Sequence, residues 1–281
     1  MKRSRPQSVK HPRWQQAISG IAGILAFGLV SCLYLTQAAW TEVISARISP
    51  TRASNGTAFP FKIGERLTYE VSWQGITAGL AELTIKARTR YNGREVYHLT
   101  SRVTSAGMVG KFYTVDDRIE AFVDVQGLYP YYAFLRQREG KRKKDKDVHF
   151  DQDRHQVTYT TNGGRPRTLP VPPAVKDILS SVYYLRTKEL DVGGTVPLSV
   201  FSSKRNYAVE VKVLRKEAVE TFSGLLETYV VKPHVTPSKE SQKQDSLIWV
   251  TADERKLPVK IKTKVRLGYI EATLIQYVEQ S

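Results

Sequence analysis

Two constellations in this chain hold residue types that could do chemistry. The first is Asp147, His149, Asp151, Asp153 and His155, all at odd positions. Residues two apart on a strand share a face, so Asp147, His149 and Asp151 can converge on a metal ion. Val148 and Phe150 fall on the other face, and Asp151 to Arg154 reads as a turn. The solvent side of a hairpin accounts for this set better than a metal site, and no metal is assigned. The second constellation is Arg136, Arg138, Lys141, Arg142, Lys143, Lys144 and Lys146, packed within eleven residues around Gly140. Only Glu139 and Asp145 oppose them. A hairpin tip charged in this way can hold anionic headgroups or acidic polymers, each basic group near an anionic bilayer being worth about 1 kcal/mol. Lysines that keep a hairpin from pairing edge to edge produce the same pattern. Arg136, Arg138, Lys141, Arg142, Lys143 and Lys144 are the candidate anion-binding residues.

Aromatic side chains gather nearby at Tyr129, Tyr131, Tyr132 and Phe134. Tyr131 shares a face with positions 129 and 133, Tyr132 with Phe134, and one of these faces can line an apolar cavity in a curved sheet. Filling a core is the commoner use of such residues. Familiar catalytic signatures are absent: no Gly-x-Ser-x-Gly elbow, His-Glu-x-x-His, phosphate-binding glycine loop or Cys-x-x-Cys occurs. No catalytic residue and no cofactor is assigned. A dispersed acid pair of the glycosidase kind leaves no local mark, and nothing in the sequence nominates one.

The elements that must position these residues read mostly as strands. Leu67, Tyr69, Val71 and Trp73 alternate with Arg66, Thr68, Glu70 and Ser72, the period of a half-buried strand. A turn over Gly75 to Gly79 leads to Leu83 and Ile85, and Asn92-Gly93 marks a tight hairpin. Ile119 to Val125 and Leu128 to Gln137 read as two further strands, with Gly140 turning the chain towards Val148 and Phe150. Strands resume over Val196 to Phe201, Tyr207 to Leu214, Leu226 to Val231, Leu247 to Val250, Leu257 to Lys264 and Tyr269 to Gln276. The polar stretch Pro233 to Ser246 reads as a loop. One helix interrupts the strands. It starts near Pro172-Pro173 and ends at Gly193-Gly194, with Val175, Ile178, Leu179, Val182 and Leu185 on one stripe and Asp177, Ser181, Tyr184 and Lys188 opposite. Asp177 in its first turn and Arg186 near its end complement the helix dipole. The expected fold is mainly β: an antiparallel curved sheet or barrel with one prominent helix.

The N-terminus fixes the expected compartment. Lys2, Arg3, Arg5, Lys10 and Arg13 precede 28 uncharged residues, Trp14 to Thr41, which is the pattern of an export signal. The apolar run Ala17 to Leu35 has 19 residues, close to the roughly 20 that span a bilayer, and Trp14 and Trp40 bracket it. Three fates are open: an uncleaved anchor, acylation of Cys32 within Leu29-Val30-Ser31-Cys32, or cleavage after Ala38. Leu33, Tyr34 and Leu35 fit poorly after a lipidation site. Residues 1–41 are thus a signal or anchor, 42–60 a tether, and 61–281 the β domain. Cys32 is the single cysteine, which excludes an internal disulfide framework. Without the five signal cations, the formal charge of +16 becomes +11 on the exported part. That surplus favours anionic partners, and export argues against nucleic acid.

Three stretches carry a family resemblance. Gly64-Glu65-Arg66-Leu67-Thr68-Tyr69-Glu70-Val71-Ser72-Trp73, followed by Gly75 and Gly79, resembles the opening of the exported family DUF3108. Asp177 to Arg186, with Tyr183 and Tyr184, resembles its central motif, and Trp249 to Val259 is similar to its ending. The polar insertion Pro237 to Ser246 departs from the pattern. The resemblance covers about residues 60–278 and implies an envelope protein of antiparallel β fold, with no reaction and no catalytic residues to carry over. Taken together, the expectation is a periplasmic, membrane-tethered protein, non-enzymatic, that binds an amphiphilic or anionic envelope component, lipid or glycan, in the concavity of its sheet. An envelope interaction scaffold and a glycan-acting enzyme are the alternatives; the first predicts a recoverable protein partner, the second a turnover that depends on an acidic residue.

Overall fold

The computed structural model describes residues 59–236, 245–265 and 268–279. The signal segment with Cys32, the tether up to residue 58 and the centre of the expected polar loop lie outside the described residues. Eight strands come first: β1 (Arg66–Trp73), β2 (Ile76–Tyr91), β3 (Arg94–Ser105), β4 (Asp116–Asp124), β5 (Pro130–Glu139), β6 (Arg142–Asp151), β7 (Gln156–Thr161) and β8 (Arg167–Pro170). Six follow: β9 (Thr195–Ser202), β10 (Arg205–Thr221), β11 (Gly224–Thr236), β12 (Ser246–Thr251), β13 (Pro258–Val265) and β14 (Gly268–Val278). A short helix α1 (Gly107–Phe112) joins β3 to β4, and α2 (Ile178–Arg186) joins β8 to β9.

All fourteen strands form one antiparallel sheet, in the order β8-β7-β6-β5-β4-β3-β2-β1-β14-β13-β12-β11-β10-β9. Tight turns explain the meander. Gln74-Gly75, Asn92-Gly93 and Asn162-Gly163 each place two successive residues at positive φ, as a two-residue hairpin requires. Because every neighbour is antiparallel, the turns alternate between two ends of the sheet. The turns at 74–75, 140–141, 162–164 and 203–204, together with α1, share one end; those at 92–93, 152–155, 222–223 and 252–257 share the other. The sheet curls until its outer strands meet. Phe201 of β9 packs against Phe150 of β6 and Tyr159 of β7, with ring centroids 5.9 and 6.2 Å apart. β8 and β9 are not hydrogen-bonded to each other. The seam is held by the Asn206 amide donating to Pro170 O at 2.8 Å, and by a single bridge between Lys176 and Val200. The result is barrel-like, with one continuous apolar core inside.

Several sequence expectations need correction here. The turn expected over Gly75 to Gly79 ends at Gly75, and β2 runs straight through Gly79. There the β3 backbone approaches so closely that a Cβ would collide with Thr104 O. β11 extends to Thr236, four residues into the expected loop. The main helix is shorter than its punctuation implied, Ile178–Arg186, and has no solvent face. Ser180, Ser181, Tyr183 and Arg186 are buried along with Ile178, Leu179 and Leu185, while Val182 is only half-buried. A helix threaded into a barrel meets side chains all round, so its amphipathic stripe does not mark a boundary with water.

Candidate functional site

The three motif stretches converge on one buried point. Arg186, at the last turn of α2, donates to both carboxylate oxygens of Glu65, with Nη2 to Oε2 at 2.8 Å. It also donates to Pro60 O at 3.0 Å and Arg255 O at 3.1 Å. Tyr69 donates to Pro258 O at 2.8 Å, beside them. Phe61 stacks edge-on against Tyr183, and the guanidinium lies over both rings. Glu65 is fully buried and Arg186 is 1% exposed. This cluster closes the end of the barrel where the chain enters. Arg186 is therefore a buried ion-pair partner, not the dipole-complementing surface cation expected from the sequence. Asp177 precedes the helix as its N-cap: its carboxylate accepts from Ser180 N–H at 2.8 Å, and Ser180 Oγ accepts from Asp177 N–H at 2.9 Å. Burial pushes the Asp177 carboxyl up. Tyr184 is half-buried, with the ammonium groups of Lys176 and Lys188 over its ring at 4.5 and 4.2 Å.

The other end of the barrel holds a cleft on the seam. It is lined by Ile119, Ala133, Leu135, Val148, Phe150, Tyr159, Ile178 and Phe201, together with Asp177, Ser202, Ser203, Lys146 and Lys204. With open solvent at the mouth counted in, its volume is about 440 Å³; the part wide enough for the centre of a water molecule is about 30 Å³, so the cleft is narrow as it stands. Ser203 and Lys204 form the β9–β10 turn at φ 47° and 74°, where an Asn-Gly pair is the relaxed solution. Holding two side chains there costs about 1–3 kcal/mol each, which places backbone strain at the mouth.

The pleat divides the basic cluster read from the sequence. Arg142, Lys144 and Lys146 have the parity of Val148 and Phe150, and so lie on the concave face. Across β5 they oppose Glu139, Gln137 and Leu135. Arg136, Arg138 and Lys143 lie on the convex face, where Arg138 is clamped by Asp145, Nη2 to Oδ2 at 2.9 Å. Lys141 is exposed in the turn itself. The six candidates are thus not one site. Lys146, which the same parity marks as inward, is 6% exposed and makes no ion pair among the described residues. Burial, with Lys144, Lys204 and Arg142 close by, pushes its ammonium group down to about 7. Lys204 carries no ion pair among the described residues either, and lies 5.6 Å over the Tyr159 ring.

Asp117 and Glu139 sit beside Arg142, each 2% exposed. Burial and mutual repulsion push Glu139 up to about 7, and burial raises Asp117 too. Arg142 reaches Glu139 at 3.8 Å. Neither carboxylate lines the cleft.

The remaining candidates are accounted for outside it. Asp147 accepts from Tyr132 Oη at 2.9 Å, Asp151 accepts from Arg154 N–H at 2.8 Å in the turn, Asp153 pairs with Arg94, and His149 is exposed beside the Tyr132 ring. His155 holds φ 53° within that turn. Among the described residues, no three His, Cys, Asp or Glu side chains are grouped to hold a metal. Tyr131 donates to Asp124 and accepts from Arg94, both at 3.1 Å, at the closed end. Tyr132 stacks with Tyr91 and Phe122 on the convex face, with centroids 5.8 and 6.0 Å apart. Of the aromatic strand β5, it is Ala133 and Leu135 that reach the cleft. Nothing local in the sequence marks Lys204, which arrives from the opposite edge of the sheet.

Fold and cleft together define a class: a curled antiparallel sheet, barrel-like, closed at one end by a helix and left without a strand ladder along its seam. The chain belongs to the DUF3108 family, a family of proteins of unknown function, whose profile it matches over residues 68–275. It resembles the crystal structure of a beta-barrel-like protein of another domain of unknown function, DUF1849, from Brucella abortus. That match has a TM-score of 0.54 at 11% identity and covers 78% of this chain and 98% of that one. A protein described as exported, with a YmcC-like fold, from Bacteroides fragilis matches with a TM-score of 0.33 at 11% identity, over 79% of this chain and 98% of its own. No curated protein matches.

Proposed function

We propose that this protein is a non-enzymatic binding protein of the cell envelope that takes an amphiphile with an anionic head into the seam cleft. The observation that carries the reading is Lys146. A lysine buried without an ion-pair partner is costly, and this one sits among further cations in a cleft lined mainly by apolar side chains. A carboxylate or phosphate delivered to Lys146 and Lys204 supplies the missing charge, and a hydrocarbon chain laid against Leu135, Val148, Phe150 and Phe201 fills the floor. The cleft is too narrow for a chain as it stands, so binding requires the seam to widen. Its edge strands share no ladder, and the backbone bonds across it are those of Lys176, to Ser199 O and from Phe201 N–H, so the edges can part at the cost of that single bridge. Tethering by the N-terminal segment places this site at the outer face of the inner membrane.

The test is native mass spectrometry of the full-length protein, purified gently from the envelope, with organic extraction of bound molecules and subsequent uptake of lyso-phosphatidylglycerol. A discrete adduct is expected, and it disappears in K146M and in A133W, which fills the cleft. An adduct that survives both substitutions belongs to the N-terminal segment, and would end the carrier reading. So would a bare mass that takes up no lipid.

A further inference from the structure

The open end of the barrel also carries an apolar projection. None of the residues of α1 is buried, although it contains two large apolar side chains. Met108 and Phe112 are four apart, on one side of the turn, and are 68% and 70% exposed. The β5–β6 tip lies directly against the residues that follow them. Gly140 N–H donates to Thr114 O at 2.8 Å, Val115 forms a bridge with Glu139, and Gly140 packs on the Tyr113 ring. Lys111 on α1 and Lys141 and Lys143 at the tip are all exposed, with no ion pair among the described residues. Most carboxylates at this end are already occupied or buried, Glu70 being exposed and accepting from Thr77 at 3.3 Å. Asp116 is held by Arg102 at 3.0 Å and Arg118 at 3.7 Å, Asp145 by Arg138, and Asp117 and Glu139 lie inside.

We propose that this end docks on the surface of an anionic phospholipid bilayer. Met108 and Phe112 enter the interface, and Lys111, Lys141 and Lys143 rest against lipid phosphates. Charge complementarity favours lipid over a protein partner. Size does too: two projecting side chains fall far short of the roughly 800 Å² per partner of a stable protein interface. A few apolar groups with adjacent lysines suffice for reversible contact with a membrane surface. The docked geometry turns the seam cleft towards the bilayer, because the Ser203-Lys204 turn shares this end.

The experiment uses the full-length chain reconstituted in vesicles of phosphatidylcholine with or without phosphatidylglycerol. A tryptophan is added at the projection (M108W) or at the far end (L225W), where Leu225 is also 68% exposed. Quenching by bromine-labelled acyl chains is read as the difference from wild type, so that the native tryptophans cancel. Quenching at M108W that requires phosphatidylglycerol, with none at L225W, is the expected result. Adding K111A, K141A and K143A lowers the ratio of docked to undocked protein about 100-fold, at about fivefold per lysine. Equal quenching at the two positions, quenching independent of the anionic lipid, or no effect of the three alanines overturns the proposal. Each of these readouts is independent of whether the cleft binds a ligand.

Discussion

Replacing Glu65 by alanine leaves the Arg186 guanidinium charged, buried and without its counter-ion. The structure gives the size of the effect. Glu65 is fully buried, Arg186 is 1% exposed, and the two meet at 2.8 Å. Unit charges about 4 Å apart attract by about 4 kcal/mol at an effective dielectric constant of 20. Removing one partner of a buried pair costs about 3–5 kcal/mol by comparison with other proteins, so the two routes agree. Pro60 O and Arg255 O remain as acceptors, but carbonyls cannot neutralise the charge. In a domain of this length each kcal/mol moves Tm by about 2–4 °C, which puts E65A about 10 °C below wild type. The assay is thermal unfolding followed by circular dichroism for E65A, R186M and the pair E65L/R186M. The double variant removes both charges while keeping the volume, so it is expected to melt above either single variant. A loss below about 1 kcal/mol for E65A, or a double variant no better than its worse parent, refutes the idea that mutual neutralisation holds this end closed.

Two further substitutions probe the inner charges and one probes the backbone. Glu139 is pushed from 4.5 up to about 7, so the fold prefers its protonated form. The resulting cost appears as pH rises from about 4.5 to about 7 and is complete above that. E139Q therefore gains more Tm over wild type at pH 8 than at pH 5; a pH-independent gap contradicts this. Lys146 is pushed from 10.5 down to about 7, so its cost is absent above about 10.5 and complete below about 7. K146M should melt above wild type at pH 7, with the gap closing towards pH 10.5, as expected when a binding residue is kept at the expense of stability. Gly79→Ala drives a Cβ into Thr104 O and is expected to cost about 1–3 kcal/mol, measured by urea unfolding.

What the sequence made legible was local. Leu67, Tyr69 and Val71 alternate with polar neighbours because β1 has one face in the core, and all three are fully buried. Asn92-Gly93 turns where two positive φ angles were needed. Arg186 was misread because the helix was taken as a surface helix; its partner Glu65 is 121 residues away and leaves no mark near it. That three motif stretches should share a purpose was the available clue, since a contact between Glu65, Arg186 and Arg255 is what they have in common. The basic cluster was misread for another reason. Strand parity, already applied to Val148 and Phe150, extends to Lys146 and separates it from Lys143. The cleft itself was out of reach, because Phe201 and Lys204 come to β6 only through the curling of the whole sheet.

The strand order has a consequence for how the molecule is assembled. β1 and β14 are neighbours in the middle of the sheet, with Arg66 paired to Val278. Strands β2 to β8 extend from β1 by successive hairpins, and β13 to β9 extend from β14 in the same way. Whether the chain leaves a ribosome or threads a pore from its N-terminus, each half can fold as it arrives. The joint between them must wait for the last strand. Until then one side of β1 stands bare, with its N–H and C=O groups ready to accept any extended chain. The interval between emergence of Trp73 and arrival of Gly268 is therefore when this protein is most exposed to mispairing. A truncation that removes β14 would leave two well-formed half-sheets with no means of joining.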